Sequence, residues 1–203
     1  MIKVALHGRR RAEEPEWTVF LTVAVALLIG WFIQTSMVNR METVTAGNIS
    51  ISYPAGWAKA SEEGALISAT DRMGRGSFGP RISVRQVPRA DVLPAGAGGG
   101  TPALADAASA WSIQRGVGLV GYRVLKIQRA TLQGREAVDV SYAYLAEGGL
   151  GAAGQVLPQV MQAVDTLVAD GDQIEILTFA AGADEFAGLS DLHQRVLASW
   201  RLP

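Results

Sequence analysis

The chain has 203 residues, room for one ordinary domain and an appendage, and its formal net charge of −1 offers no basic excess for a nucleic acid. Hydrophobic residues make up 49% and charged ones 18%, which is apolar for a soluble domain. The absence of cysteine excludes disulfides, lipid attachment through cysteine and c-type haem attachment.

The apolar excess is concentrated near the start. From Trp17 to Ile33 the chain reads "WTVFLTVAVALLIGWFI" without a charge, and the uncharged run continues to Val38. At ~1.5 Å per residue this reaches the ~30 Å of a bilayer core, and Trp17 and Trp31 lie near its ends, where amphipathic rings favour the interface. The run is therefore read as a transmembrane helix over 17–38. Lys3, Arg9, Arg10 and Arg11 precede it and only Arg40 follows closely, while acidic residues such as Glu13, Glu14 and Glu16 weigh little. This places 1–16 in the cytoplasm and the rest of the chain outside it, in the cell (inner) membrane of a bacterium. Val44-Thr45-Ala46 would serve a signal peptidase, but it lies well beyond the apolar core, so the segment is read as a retained anchor. Within the span, Thr22, Ala26 and Gly30 recur every fourth residue, a spacing that lets a partner helix approach closely. Chance clustering of small residues in an Ala/Val-rich span is the competing reading.

Residues 39–47 read as a linker and 48–203 as one extracytoplasmic domain, large enough for its own core. "ISISYP" alternates as a half-buried strand and ends at Pro54-Ala55-Gly56. "ALISAT" (65–70) and "RISVRQV" (81–87) are the next strands, and "DVLPAGAGGGTP" is a loop by composition. In "ALADAASAWSIQRGV", Leu104, Ala108 and Trp111 share one helical face. A long hairpin turns at Gln133-Gly134, with Val138, Val140, Tyr142 and Tyr144 on one face, and "EGGLGAAG" is a second loop. Another hairpin turns at Asp170-Gly171. The last helix places Phe186, Leu189, Leu192, Val196 and Trp200 at helical spacing, with Ser190 as its cap. This order predicts an α+β layered domain on an antiparallel sheet.

Chemistry is thin along this framework. Gly74, Gly76 and Gly79 in "GRGSFGPR" satisfy G-x-G-x-x-G, and Ser77-Phe78 suits a kinase phosphate loop. A dinucleotide fingerprint needs a helix starting in the glycines, whereas Pro80 and a strand follow. A kinase needs a lysine on that strand, yet the chain has none between Lys59 and Lys126, and it lacks H-R-D and D-F-G motifs. The segment is read as a hairpin connection. His7 and His193 are the only histidines and fall on opposite sides of the expected membrane, so no His or Cys/His ligand set forms within one chain. His193, with Asp191 nearby but no nucleophile elbow, is read as a solvent-facing helical histidine. Asp170, Asp172 and Glu175 straddle a turn without the calcium-loop spacing. No catalytic, cofactor or metal residue is assigned. Arg72, Arg75, Arg81, Arg85 and Arg89 form a basic run in which Arg81, Ser83 and Arg85 share one strand face. It reads either as a solvated outer face or as a docking face for acidic protein or lipid headgroups.

Three stretches, "ISISYPAGW", "LQGREAVDVSYAY" and "FAGLSDLHQRVLASWRL", resemble the PsbP-like family in its bacterial extracytoplasmic versions. Pro54, Gly56 and Trp57 match in the first, Gly134 in the second, and Phe186, Val196 and Ser199 in the third. The resemblance covers 48–203 and implies an α/β/α sandwich on an antiparallel sheet, generally without catalytic activity and with no cofactor. The family's plant founder is an extrinsic subunit steadying the oxygen-evolving photosystem, and bacterial relatives include lipoproteins and envelope proteins. This chain departs from them in its anchor and its missing lipid-attachment cysteine, and no metal-linked residue of the plant protein finds a counterpart. The resemblance implies a non-catalytic, single-pass accessory subunit of a bacterial membrane complex, an electron-transfer complex of respiration or photosynthesis first. Its partners would be integral subunits met through the helix, extracytoplasmic subunits met through the domain, and membrane lipid. The alternative is a free-standing envelope module that binds a lipid or small apolar ligand. The arginine-rich, Ala- and Gly-rich composition suits a GC-rich bacterium.

Overall fold

The computed structural model describes residues 16–38, 40–72, 79–92, 103–146 and 158–202, without the side chains of 16 and 33–38. It divides into two units, 1–40 and 41–203.

The first unit is one helix, α1 (Glu16–Val38, 23 residues). β-branched Val, Ile and Thr are its commonest class, so propensity alone does not make it a helix, but no proline or charge interrupts its interior. Thr22 answers its own polarity by donating from Oγ1 to the Thr18 carbonyl at 2.8 Å. Large apolar side chains are exposed on every side, with Trp17 at 71%, Phe20 at 79% and Leu27 at 69%. Among the described residues no helix is long and apolar enough to cross a membrane, since the fully described part of α1 covers 17–32.

The second unit begins with a strand where the sequence suggested a linker. Strand β1 (Met41–Ala46) pairs antiparallel with β2 (Ile49–Pro54) across a turn in which Gly47 has φ +60°. Seven more strands form one antiparallel sheet: β3 (Ala58–Lys59), β4 (Ile67–Thr70), β5 (Arg81–Pro88), β6 (Arg123–Leu132), β7 (Arg135–Ala146), β8 (Gln159–Asp170) and β9 (Gln173–Gly182). Their spatial order is β3-β4-β5-β9-β8-β7-β6. The two long hairpins turn close to where expected. Gln133 (φ +51°) and Gly134 (φ +81°) supply the left-handed pair that a two-residue turn demands.

Both faces of the sheet are covered. On one lie α2 (Arg89–Val92) and α3 (Leu104–Gly118), whose Leu104, Ala107, Ala108 and Trp111 pack on Val138, Val140, Met161 and Ile176. The helical turn α2 stands where the sequence suggested the loop would begin, and Val92 holds it by burial in this core. On the other face lie the β1–β2 hairpin, a 3₁₀ turn (Phe186–Leu189) and α4 (Ser190–Ser199). Their core joins Ile51, Tyr53, Trp57, Val84, Phe179, Val196 and Trp200. Ser190 opens α4 rather than capping it, for Leu189 holds the cap position and no side chain bonds there. The helix is fastened at its other end. Ser199 Oγ accepts from the Ser52 amide at 2.9 Å, and Ser50 and Arg201 exchange backbone bonds of 3.2 and 2.8 Å.

Residues 93–102 and 147–157, where the sequence suggests loops, lie outside the described residues, as do Gly74, Gly76 and Ser77. Gly79 is described, and its constraint is steric. Asp71 donates its amide to the Pro80 carbonyl at 2.8 Å, and a Cβ on Gly79 would come within 1.9 Å of the Asp71 carbonyl oxygen. Gly79→Ala should therefore force the β4–β5 connection apart. The expected loss is about 1–3 kcal/mol in urea unfolding of the intact chain.

Candidate functional site

The most elaborate polar arrangement lies under α3, where sequence reading placed nothing. Asp165 on β8 is fully buried. A buried carboxylate must be matched by donors, and four groups converge on it. Thr178 Oγ1 on β9 and Tyr142 Oη on β7 donate to its Oδ1 at 2.7 and 3.0 Å. Trp111 Nε1 on α3 donates to Oδ2 at 2.7 Å, and Arg115 Nε stands 3.7 Å from the same oxygen. Arg115 also donates to Tyr142 Oη at 3.3 Å and lies 5.7 Å from the Trp111 ring centroid. Strand register makes this possible. Asp165 pairs across with Val140 and Thr178, so it shares the α3-facing side of the sheet with Tyr142 and Thr178.

The cluster extends along β7. Tyr122, Tyr142 and Tyr144 form a ladder with centroid spacings of 5.0 and 5.9 Å, within the range of favourable tilted contacts. Arg81 bonds the Tyr144 hydroxyl and sits over its ring, and Arg85 pairs with Glu62. Burial pushes the Tyr122 phenol up to about 12, and the Asp165 charge pushes the same way. Burial and Asp165 also raise Tyr142 well above the ordinary phenol value. Burial opposes the Arg115 charge, but Tyr142 and Asp165 outweigh it and hold the guanidinium protonated. Both oxygens of Asp165 are met by donors from β7, β9 and α3, so the cluster ties the helix to the sheet.

The arginine run consequently does not form one free face. Strand β5 is interior to the sheet, between β4 and β9, and Ser83 on the side expected to be solvated is buried. Arg81 and Arg85 are half-buried and engaged, and the Arg89 amide donates to the Asp172 carbonyl at 2.8 Å. Arg72 is exposed, and Arg75 lies outside the described residues. Thr22, Ala26 and Gly30 are all exposed on α1, with open space where a Gly30 Cβ would stand.

His193 corrects another expectation. It faces the sheet, with its ring 4.9 Å from that of Phe179, and Asp191 is exposed instead. The amphipathic turn of α4 that buries Val196 also brings position 193 inward. Burial lowers the His193 pKa, and Asp139 on β7 opposes the shift. The turn acids also separate: Asp170 pairs with Arg135 at 3.2 Å, whereas Glu175 is buried and accepts from Gln86 Nε2 at 2.8 Å. Burial raises the Glu175 pKa. Among the described residues no group of three or more His, Asp or Glu side chains converges for a metal. A cleft of about 450 Å³ opens between α4 and the β6–β8 end of the sheet. Ala130, Leu132 and Leu197 line it beside Gln133, Gln194 and Asp139, the last accepting from Thr166 Oγ1 at 2.8 Å.

Asp165→Asn places an amide hydrogen among donors and removes the charge that faces Arg115. It should cost about 2–4 kcal/mol in urea unfolding. His193 contributes in the opposite pH sense from a paired histidine. Its folded pKa lies below its unfolded one, so its contribution is complete above the unfolded value and is lost as pH falls through it. The melting-temperature difference between wild type and His193→Leu should therefore shift against wild type on going from pH 7 to 5.

No family model and no curated protein sequence matches the chain. Solved structures do. The chain is similar to cyanobacterial PsbP (CyanoP) from Synechocystis sp. PCC 6803, with 13% identity over 80% of this chain and 92% of that one, TM-score 0.53. It is similar to the Ran-binding protein Mog1p of Saccharomyces cerevisiae, with 12% identity over 80% and 95%, TM-score 0.51. LpqN of Mycobacterium tuberculosis, described as involved in cell envelope biogenesis, aligns with 15% identity over 79% and 89%, TM-score 0.45. The likeness shows the fold: an antiparallel sheet with helices on both faces, of the kind seen in cyanobacterial PsbP.

Proposed function

We propose that the chain is a non-catalytic, membrane-anchored accessory subunit whose PsbP-like domain lies outside the cytoplasm. One observation carries this reading: α1 is apolar and exposed all round, the character of a helix surrounded by lipid or by other helices. Its helical backbone runs 23 residues, about 35 Å at the usual rise, enough for a bilayer core. The basic residues ahead of it favour a cytoplasmic N-terminus. The domain supports an interaction role, since its buried charges are spent on holding its own layers. Likeness of fold to a cyanobacterial PsbP makes an electron-transfer complex the first choice of assembly.

A second reading has its own observation. The 450 Å³ cleft beneath α4 is the place where a free-standing envelope module would hold a small, partly apolar ligand.

Protease added to intact spheroplasts should remove residues 41–203, and full protection there would sink the orientation. Extraction in mild detergent should recover a stoichiometric complex, whereas a monomer with co-extracted lipid favours the cleft. If Thr22, Ala26 and Gly30 pack against a partner helix, Gly30→Leu should loosen the complex at least about tenfold, because TM helices associate through close backbone contact. Leu27→Ile should co-purify as wild type does. Equal recovery of both variants would make α1 a tether only.

A further inference from the structure

Strand β6 ends the seven-stranded sheet, so one side of its backbone has no strand partner among the described residues. The strand is 10 residues long, and every residue from 123 to 129 is exposed. Long open edges are templates for another chain, and proteins usually shorten or cover them.

The register of β6 on β7 sorts its side chains by face. Val124 and Ile127 stand opposite Tyr142 and Val140, on the α3 side. Arg123 and Lys126 stand opposite Ala143 and Ser141, on the α4 side. The irregularity at Leu125 is what puts both cations on one face, since without it residues three apart would alternate. Arg123, Lys126 and Arg129 make no ion pair with a described residue. The apolar side continues onto α3, where Ile113 is 72% and Val117 88% exposed. The α4 side of this edge is thus cationic, while the α3 side is apolar as far as Arg129, which stands opposite Val138.

A second copy of the chain fits this edge badly. Antiparallel pairing centred on the exposed length would set Lys126 directly against its own copy, and like charges directly opposite destabilise a pair. The cations and the bulge guard against self-pairing while leaving the backbone open to an acidic strand. We propose that β6 is a docking edge for an extended segment of a partner protein in which apolar and acidic residues alternate. Its backbone extends the sheet beyond β6, its apolar side chains meet Val124, Ile127 and Val117, and its carboxylates meet Arg123 and Lys126. This site is independent of the role of α1 and would serve equally in a protein that is not part of a membrane complex.

The test uses the full chain in detergent and a synthetic peptide as long as β6, alternating Val and Glu, with capped ends. Fluorescence anisotropy should show saturable binding, about tenfold or more tighter than for a Val/Lys peptide of equal length. Amides of β6 should gain hydrogen-exchange protection in the complex. Methylating alternate peptide nitrogens on the edge-facing side should abolish binding, since it removes the backbone donors and leaves the side chains. The double variant Arg123→Glu/Lys126→Glu should reverse the preference towards Val/Lys, a gained affinity that an unfolded variant could not show. The proposal is overturned by absence of saturable binding, by binding indifferent to methylation, or by an unchanged preference in the double variant. It is equally overturned if β6 is protected without peptide in a dimer. The same holds if vesicles of anionic lipid protect β6 and the peptide does not, which would make this a membrane face.

Discussion

A carboxylate with no access to water has to be held from several directions at once, and Asp165 draws its donors from β7, β9 and α3 together. Removing such a charge from water costs several kcal/mol, so the sheet register and the seat of α3 must be right at the same time to offset it. That requirement ties the helical layer to the middle of the sheet rather than to its rim. Trp111 shows the economy of the arrangement. Its ring fills the apolar core, while its one donor reaches the carboxylate. Arg115 then lies across the Trp111 ring and adds its charge at the more open side.

Among the described residues, the opposite face is held without a buried ion pair. Trp200 is fully buried at the end of α4, and backbone bonds between Ser50 and Arg201 join the chain end to β2. Ser199 links the helix terminus to Ser52, while Gln133 in the β6–β7 turn donates to the Trp200 carbonyl. The hairpin, the helix and the turn therefore meet at one place. His193 and Asp139 lie on this face close to the α4 cleft, where burial keeps the imidazole neutral more readily than solvent would. The two faces differ in kind: one is specified by a polar lock, the other by large apolar side chains and main-chain bonds.

Among the described residues, exposed apolar surface is most extensive in two places. Helix α1 is exposed all round, and the β6 edge carries Val124, Leu125 and Ile127 beside Ile113 and Val117 of α3. Isolated apolar residues on a surface need no explanation, but contiguous ones next to an open backbone edge do. Each patch lacks the internal partner that its neighbours have found, which is why interaction rather than catalysis organises the functional reading.

Much of the framework was legible in residue order. Alternation in "ISISYP" and in Val138–Tyr144 specified strands and their buried faces, because a pleat turns successive side chains to opposite sides. Leu104, Ala108 and Trp111, and later Val196 and Trp200, specified helix faces by the helical period. Gln133-Gly134 specified a turn because the left-handed backbone there suits glycine. The strand at Met41–Ala46 was missed because its alternation is weak and half-exposed, and only β2 gives it a partner. The Asp165 cluster had a faint local signal, one acid inside the apolar run "VMQAVDTLV", but its donors lie between 13 and 54 residues away in the chain. The arginine run looked like a free face because sequence shows which residues share a side of a strand and not what covers that side. Whether β5 is an edge or an interior strand depends on β9 pairing with it, and β9 lies almost ninety residues further on. Local periodicity thus determined the elements and their inward faces. Strand order, the cover over each face, and the edge left open were decided only when distant segments packed, because burial and hydrogen bonding depend on neighbours in space.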